Sequence, residues 1–425
     1  MYRYTKRTAT ERELAEPKRD GSVPPQRGPL MADDTGGEAF RRDSATLLSY
    51  GALAVFAFWL YAFGPALALL QAELHFSYTL LGVYSALWAA GSAVAGLCFA
   101  ALARRRSRAV LLWSSAIGMT AGAVLFATTH TVASTLVGTA LLGLAGTIML
   151  TCTQAIMSDR HGERRDRVLI EANVGAAGCA VLAPLLLGAF QGTPAGWRVV
   201  MGLPALLLAG LYLRYRHQPL PESPDEWHTG GRNRLPLACW LLVGLVAVST
   251  AVEFCLVYFG AELLRTTGLQ TARAATAMSA FYLGILAGRA GGAWLSRRAG
   301  RAGALLWASL AVTAAGFVLF WLAGLPVPAI AGLFLCGLGV ANLYPLALAR
   351  ALAAAPGNSD SANAATQLLA GVFGIAAPYL LGSLADHFGL RAAFVVEPVL
   401  IGSSALLLLA GPRLARRAGN TANAA

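Results

Sequence analysis

Between about residues 46 and 411 the chain alternates long uncharged runs with short charged or turn-rich breaks. Twelve runs stand out, at about 46–70, 79–102, 109–128, 133–157, 169–190, 197–214, 236–264, 272–296, 303–323, 328–352, 361–385 and 391–411. A helix rises about 1.5 Å per residue, so roughly 20 apolar residues span the hydrocarbon core of a bilayer. The pattern predicts twelve transmembrane helices. Most connections are short. The longest, at about 215–235, carries Pro219, Pro221, Pro224, Gly230 and Gly231 and divides the runs into two sets of six. Residues 1–44 are polar, charged and rich in Pro and Gly. Such a segment buries too little surface to repay its ordering entropy, so it reads as a disordered cytoplasmic tail. The predicted organisation is therefore a tail (1–44), a six-helix half (45–214), a cytoplasmic linker (215–235), a second six-helix half (236–412) and a short tail (413–425).

The two halves repeat one another. Leu102 to Phe126 reads as a basic knot followed by LLWSSAIGMTAGAVLF, and Leu295 to Phe320 returns the pattern with LLWASLAVTAAGFVLF. Trp113, Gly122 and Phe126 align with Trp307, Gly316 and Phe320 at a shift of 194 residues. The same shift carries Ala183-Pro184 to Ala377-Pro378, Ser85-Ala86 to Ser279-Ala280, and Pro204 to Pro398. Chance does not hold one offset over five helices, so the halves are a duplication. Six spans per half is an even number. The halves therefore point the same way and form parallel repeats about an axis along the membrane normal.

Charge orients the bundle. Only 13% of residues are charged, and the net charge is +12. The basic residues form short knots rather than a folded face with interleaved aromatics, which argues against nucleic-acid binding. Arg104, Arg105, Arg106, Arg108, Arg160, Arg164, Arg165, Arg167, Arg214, Arg216, Arg297, Arg298, Arg301 and Arg350 fall on one side with both tails. Arg198, Arg265, Arg273 and Arg391 fall on the other. This bias puts both termini in the cytoplasm, and the plasma membrane is the expected location. Six cysteines (Cys98, Cys152, Cys179, Cys239, Cys255 and Cys336) all sit within apolar runs and none forms a CxxC pair. They read as buried small residues, so no metal and no cofactor is expected.

Twelve spans in two parallel sixes, with a basic loop after the second helix of each, resemble the major facilitator superfamily over residues 46–412. The superfamily's loop signature runs roughly G-x-L-A-D-R-x-G-R-R. Leu102-Ala103-Arg104-Arg105-Arg106-Ser107-Arg108 and Leu295-Ser296-Arg297-Arg298-Ala299-Gly300-Arg301 take its place. In the family the signature acid helps hold the halves together on the cytoplasmic side; here Arg104 and Arg297 replace it. Gly382-Ser383-Leu384-Ala385-Asp386-His387-Phe388-Gly389 fits the signature better, yet lies between spans eleven and twelve, on the opposite side. Ala183-Pro184 with Gly188 partly matches the antiporter signature of the fifth helix, and Gly337 to Pro345 is similar to the tenth helix of some bacterial members.

Polar groups at membrane depth are costly unless satisfied, which makes them the informative residues. Glu253 lies deep in span seven with no basic residue within ten positions. The resemblance places helices one and seven around the central cavity, so Glu253 is the expected proton-coupling group; a structural hydrogen bond is its competing role. The histidines (His75, His130, His161, His217, His228 and His387) all fall in predicted loops, which removes the usual alternative proton carrier. Glu397, the other deep acid, is expected to be structural. Arg289 lies inside span eight and Glu171 at the start of span five, helices that the resemblance sets facing one another. They are expected to form a gating ion pair, with snorkelling of Arg289 as the alternative. Thr147, Thr151, Gln154 and Ser158 share one face of span four, and Gln154 is the expected cavity residue among them. Asn342 and Tyr344 precede Pro345, which can loosen span ten. Trp59, Tyr61, Tyr84, Trp88 and Tyr258 are the mid-depth aromatics assigned to the cavity lining.

The reading is an all-α membrane protein that works as a monomer in the lipid bilayer, is not an enzyme, and moves a small-molecule substrate by alternating access with protons as the coupling partner. Export of a drug-like compound or metabolite is the leading expectation. Uptake of a sugar or other nutrient is the alternative, and a transporter-like membrane sensor is a distant one. No Walker-type phosphate loop is present in the sequence.

Overall fold

The computed structural model describes residues 42–161, 165–221, 235–295, 302–355 and 359–422. Among the described residues there is no strand. The first six helices are α1 (Ser44–Leu74), α2 (Tyr78–Arg105), α3 (Arg108–Thr128), α4 (Val132–His161), α5 (Arg165–Gln191) and α6 (Arg198–Tyr215). The remainder are α7 (Leu237–Arg265), α8 (Thr271–Leu295), α9 (Ala302–Leu322), α10 (Pro326–Val340), α11 (Leu343–Ala353), α12 (Ser359–Phe388), α13 (Leu390–Ala393) and α14 (Val396–Ala422). Among the described residues, 11 segments are long and apolar enough to cross a membrane; one joins α10 to α11 and another joins α13 to α14. The twelfth span is α8, where Arg273 and Arg289 leave a short uncharged stretch between them.

Both interruptions have the same cause. A proline lacks the N–H that would pair four residues back, and its ring crowds that carbonyl. The helix breaks at Ala341–Asn342 stand four and three residues before Pro345, and those at Phe394–Val395 four and three before Pro398. Spans ten and twelve, expected as single helices, are each two. The last helix also runs on to Ala422, beyond the expected start of the tail at 413.

The duplication is visible as geometry. Helices α3 and α4 cross at Gly122 and Gly138, where a Cβ on Gly122 would stand 2.8 Å from the Gly138 carbonyl oxygen. Their counterparts at the shift of 194, Gly316 and Gly332, make the same crossing between α9 and α10, again with 2.8 Å from Gly332 to the Gly316 carbonyl. Only glycine allows backbones this close. A second copied contact lies at helix ends. The Arg198 guanidinium donates to the carbonyls of Ala127 (2.8 Å) and Thr129 (3.0 Å), closing the C-terminus of α3. Arg391 donates to the Ala323 carbonyl at 2.8 Å, closing α9. Thr129 and Ala323 are 194 residues apart. A cation at these ends satisfies orphan carbonyls and the negative pole of the helix.

We call the two ends of the bundle the basic end, where Arg104 and Arg105 finish α2 and Arg108 starts α3, and the far end, where α1 finishes and α2 starts. At the basic end Asp43 caps α1, accepting the Thr46 N–H at 2.9 Å and the Thr46 hydroxyl at 2.6 Å, with Arg160 Nε at 2.6 Å. Burial alone would raise the Asp43 carboxyl. The Thr46 hydrogen bonds and Arg160 outweigh it, and its pKa lies below the ordinary value. Arg104 and Arg105 finish α2 and are exposed. Arg108, expected in the loop, is instead buried and paired with Asp159 of α4. The basic knot is thus partly consumed inside its own half. His161 and His387, expected in loops, lie at the ends of α4 and α12. Most of the linker, the tail before residue 42 and the second knot (Arg297, Arg298, Gly300, Arg301) lie outside the described residues.

Candidate functional site

The site lies where α1, α5, α7, α8 and α11 meet. Its pocket is a small cleft lined by Tyr61 of α1, Ala177 and Ala180 of α5, and Tyr282, Ile285 and Arg289 of α8. Tyr282, Ile285 and Arg289 stand at i, i+3 and i+7, so one face of α8 presents all three. The Tyr61 and Tyr282 rings meet edge to face at 5.0 Å. The Tyr282 hydroxyl is buried and has no hydrogen-bond partner among the described residues.

Glu253 of α7 is the electrostatic hub. Its charge acts on Tyr61, Tyr258, Tyr282 and Tyr344, which come from α1, α7, α8 and α11. Arg289 acts on both Glu253 and Tyr61, and its guanidinium lies beside the Tyr61 hydroxyl. Among the described residues no ion pair joins Arg289 to Glu253. Glu253 is half-buried and Arg289 exposed, and Arg289 but not Glu253 lines the pocket. Asn342, at the break between α10 and α11, donates from Nδ2 to the Gly288 carbonyl at 2.8 Å. That bond fixes α8 at the residue before Arg289. Tyr344, two residues on, directs its hydroxyl to Gln367 Oε1 of α12 at 3.5 Å.

Of the residues expected in the cavity, Tyr61, Tyr258, Tyr344, Glu253 and Arg289 come together, and Asn342 braces them. Trp59, Tyr84 and Trp88 make their contacts elsewhere. Trp59 is fully buried and donates its indole N–H to the Met201 carbonyl at 2.8 Å, inside the first half. Tyr84 turns its hydroxyl to Thr135 and packs on Phe76 at the far end. Trp88 packs against Phe63 with ring centroids 4.7 Å apart and the planes tilted, and Gln154 is exposed on α4. Glu171 accepts the Tyr50 hydroxyl at 3.1 Å. Helices α5 and α8 run antiparallel, with Gly188 against Thr276. Counting from that contact sets Arg289 level with Gly175, about one turn beyond Glu171. Tyr282 was not singled out in the sequence; its i+7 relation to Arg289 was the available signal. Glu397 faces the interior of its own half, where its electrostatic neighbours are Cys255 and Cys336.

The seam between the halves is closed at one end. The Asp386 carboxylate, near the end of α12, accepts the backbone N–H groups of Tyr78 (2.8 Å) and Thr79 (2.7 Å) at the start of α2. Beside it, Gly382 lies on the Tyr78 carbonyl, and Gly82 would place a Cβ 2.8 Å from the Pro378 carbonyl. Past mid-depth the contact fades: a Cβ on Gly371 would reach only Ala93, at 4.0 Å, and Gly96 and Gly175 have nothing within 4 Å. Among the described residues, the close contacts between the halves thus gather toward the far end.

Comparison with known proteins settles the lineage. The Major Facilitator Superfamily profile matches residues 47–356 and, in a second overlapping match, 241–424. The chain belongs to the major facilitator superfamily. As a fold, this major facilitator chain is similar to a bacterial homologue of the human lysosomal transporter Spinster in an inward-facing, occupied conformation (TM-score 0.68, 16% identity, 87% of this chain and 96% of that one). It is also similar to the peptide transporter POT in complex with sulfate (TM-score 0.68, 17% identity, 89% and 95%). A third is the nucleoside transporter NupG (TM-score 0.66, 16% identity, 87% and 98%). No functionally curated sequence matches this superfamily member.

Proposed function

We propose that the chain is a proton-coupled secondary transporter that exports a small, partly apolar organic solute. The observation that carries this is Glu253: one acid placed at membrane depth, at the centre of four tyrosines and one arginine drawn from both halves. Such a carboxyl can take a proton when the pocket faces one side and release it when it faces the other. Each charge carried across is worth about 2.3 kcal/mol per 100 mV, enough to drive a solute uphill. The lining of tyrosine, alanine and isoleucine suits a partly apolar compound better than a sugar, which needs a hydrogen-bond partner for each hydroxyl. The arginine asymmetry puts the basic end in the cytoplasm. In that orientation the contacts around Asp386 form the external closure.

Alternating access then requires the far-end contacts to part while the basic end closes. Arg289 and Glu171 lie on the helices that would approach at the basic end, so we retain Glu171 as part of that closure. The test is transport by purified protein in liposomes, with a panel of solutes and with or without a pH gradient. Wild type accumulates its solute only with the gradient and in the direction of export. Glu253→Gln folds, exchanges solute at equilibrium and ignores the gradient. Full gradient-driven accumulation by Glu253→Gln would refute the assignment.

A further inference from the structure

At the basic end of the first half, arginines outnumber the acids that could pair with them. Asp159 is taken by Arg108, and Asp43 by Arg160. Among the described residues Arg106, Arg214 and Arg216 have no acidic partner, and all three are exposed. Unpaired arginines at a membrane surface are ordinary, and charge alone makes no site. The groove between α3 and α6 adds shape to the charge.

Helices α3 and α6 run antiparallel, and two contacts fix their register. Arg198, at the start of α6, meets the Ala127 carbonyl near the end of α3. Toward the basic end, the Tyr212 ring meets Trp113 edge to face at 5.0 Å. Counting on from that pair sets Arg216 level with Ala109, at the start of α3. Tyr212 and Arg216 stand at i and i+4, so they share one face of α6. The arginine is thus about 6 Å nearer the membrane surface than the ring pair. Arg106, which caps α2, lies three residues before Ala109. One turn deeper than the rings, Ile117 of α3 and Ala209 of α6 are exposed. The main neighbours of α3 and α6 all belong to the first half, so the faces these helices leave exposed look outward to lipid. Cation, amphipathic rings and apolar groove follow one another in depth, as phosphate, glycerol and acyl chain do in a phospholipid.

The geometry points to a binding site for one anionic phospholipid in the leaflet at the basic end. Its phosphate lies on Arg216 and Arg106, its glycerol on Trp113 and Tyr212, and an acyl chain along Ile117 and Ala209. A zwitterionic headgroup carries its own cation and gains less from two unpaired arginines. The repeat supplies an internal comparison. At the shift of 194, Trp113 returns as the exposed Trp307, but Tyr212 becomes Leu406 and Arg216 becomes Ala410. The second half has the anchoring ring without its partner or its cation, so the chain holds one such site and not two. The site is separate from the pocket and stands whether or not Glu253 couples protons.

The test uses purified full-length protein in nanodiscs of phosphatidylcholine with a minor fraction of phosphatidylglycerol. Native mass spectrometry counts the retained lipids. Quenching by brominated lipid, read as the difference between wild type and Trp113→Phe, reports contact at the groove. One phosphatidylglycerol per chain is expected, with Trp113 quenched more by brominated phosphatidylglycerol than by the same amount of brominated phosphatidylcholine. Each basic residue near an anionic headgroup is worth about fivefold. Arg216→Gln should therefore weaken the preference about fivefold, and Arg216→Gln with Arg106→Gln at least about tenfold. Arg216→Lys should keep most of it. Arg350→Gln removes the same charge from α11 of the second half and should leave the preference unchanged. An equal loss from Arg350→Gln would mean a diffuse field and no site. Equal retention of phosphatidylcholine, or a full preference in the double variant, would overturn the assignment. So would displacement by inorganic phosphate alone, which would give the arginines to a soluble anion. A dimer in which Trp113 is shielded from every brominated lipid would give the groove to a second copy of the chain and overturn it too.

Discussion

The two ends of this molecule answer the same problem with opposite chemistry. At the far end, a carboxylate on α12 reaches across the seam and caps the exposed N–H groups of α2, within a stretch that matches the superfamily's acidic loop signature. At the basic end, where that signature's acid belongs, the chain carries Arg104 and Arg297. An anion at a helix N-terminus satisfies orphan donors and the positive pole together, whereas an arginine in that place can do neither. The difference teaches that the family's latch is a piece of chemistry and not a location. Asp386 supplies an acid of that kind at the far end, where the halves meet closely.

The harshest way to break this comparison is steric. A leucine at Gly382 would meet the Tyr78 backbone carbonyl, which has no room to yield. Gly382→Leu should prevent far-end closure and reduce transport by about a hundredfold, since overpacking of this kind costs roughly 1–3 kcal/mol or more. Spin-label distances between the far ends of α2 and α12 should lengthen; unchanged distances would contradict the closure. Next in size is Asp386→Asn, which keeps the shape and removes the charge. Hydrogen bonds to a charged group contribute about 1.5–3 kcal/mol, and exposure of this carboxylate puts it at the low end. The ratio of open to closed far ends should rise about tenfold. Smaller again is Arg104→Asp, which restores an acid to the basic end. It should move the same distances a few-fold in population toward closure there, by roughly 0.5–1 kcal/mol.

The smallest effect is expected at Asp43, an acid at the basic end that caps a helix of its own half. Asn caps about as well as Asp, so Asp43→Asn isolates the charge facing Arg160. Because this carboxyl titrates below 3.8 in the folded protein, its contribution is complete above that pH and is lost as the pH falls through the lower folded value. A loss of about 0.5 kcal/mol in thermal stability should appear at pH 7 and disappear in strong acid. The seam distances should not move. If they did, Asp43 would have to be counted among the latches.

How much of this could be read from the sequence depends on what each feature needs. A transmembrane helix needs only a long apolar run, so the helices were legible, as was the duplication, whose offset reappears in the crossings at Gly122–Gly138 and Gly316–Gly332. Glu253 was legible because an acid at that depth is conspicuous in one dimension. Lateral neighbours were not. Trp59 and Tyr61 are two residues apart on α1, yet one is sealed against Met201 and the other opens on the pocket. Only the packing of α6 and α8 around α1 decides between them. Arg289 stands beside Tyr61, a neighbour from another helix that the linear order of residues does not reveal. The Asp386 stretch was conspicuous as a pattern, while its partner, the start of α2, lies some three hundred residues away in the chain.

The interruption between α10 and α11 bears on how the two copies have diverged. Pro345 sits there; subtracting the repeat offset gives Thr151, in the uninterrupted α4. Glu253 likewise has Trp59 as its counterpart, a packed indole with no proton to trade. A duplicated gene begins with two equal copies, each free to bend and each free to acquire chemistry. In this lineage the break at Pro345 and the acid at Glu253 both fell to the second copy, and the first stayed unbroken at both positions. The inheritance is symmetrical in outline and unequal in labour.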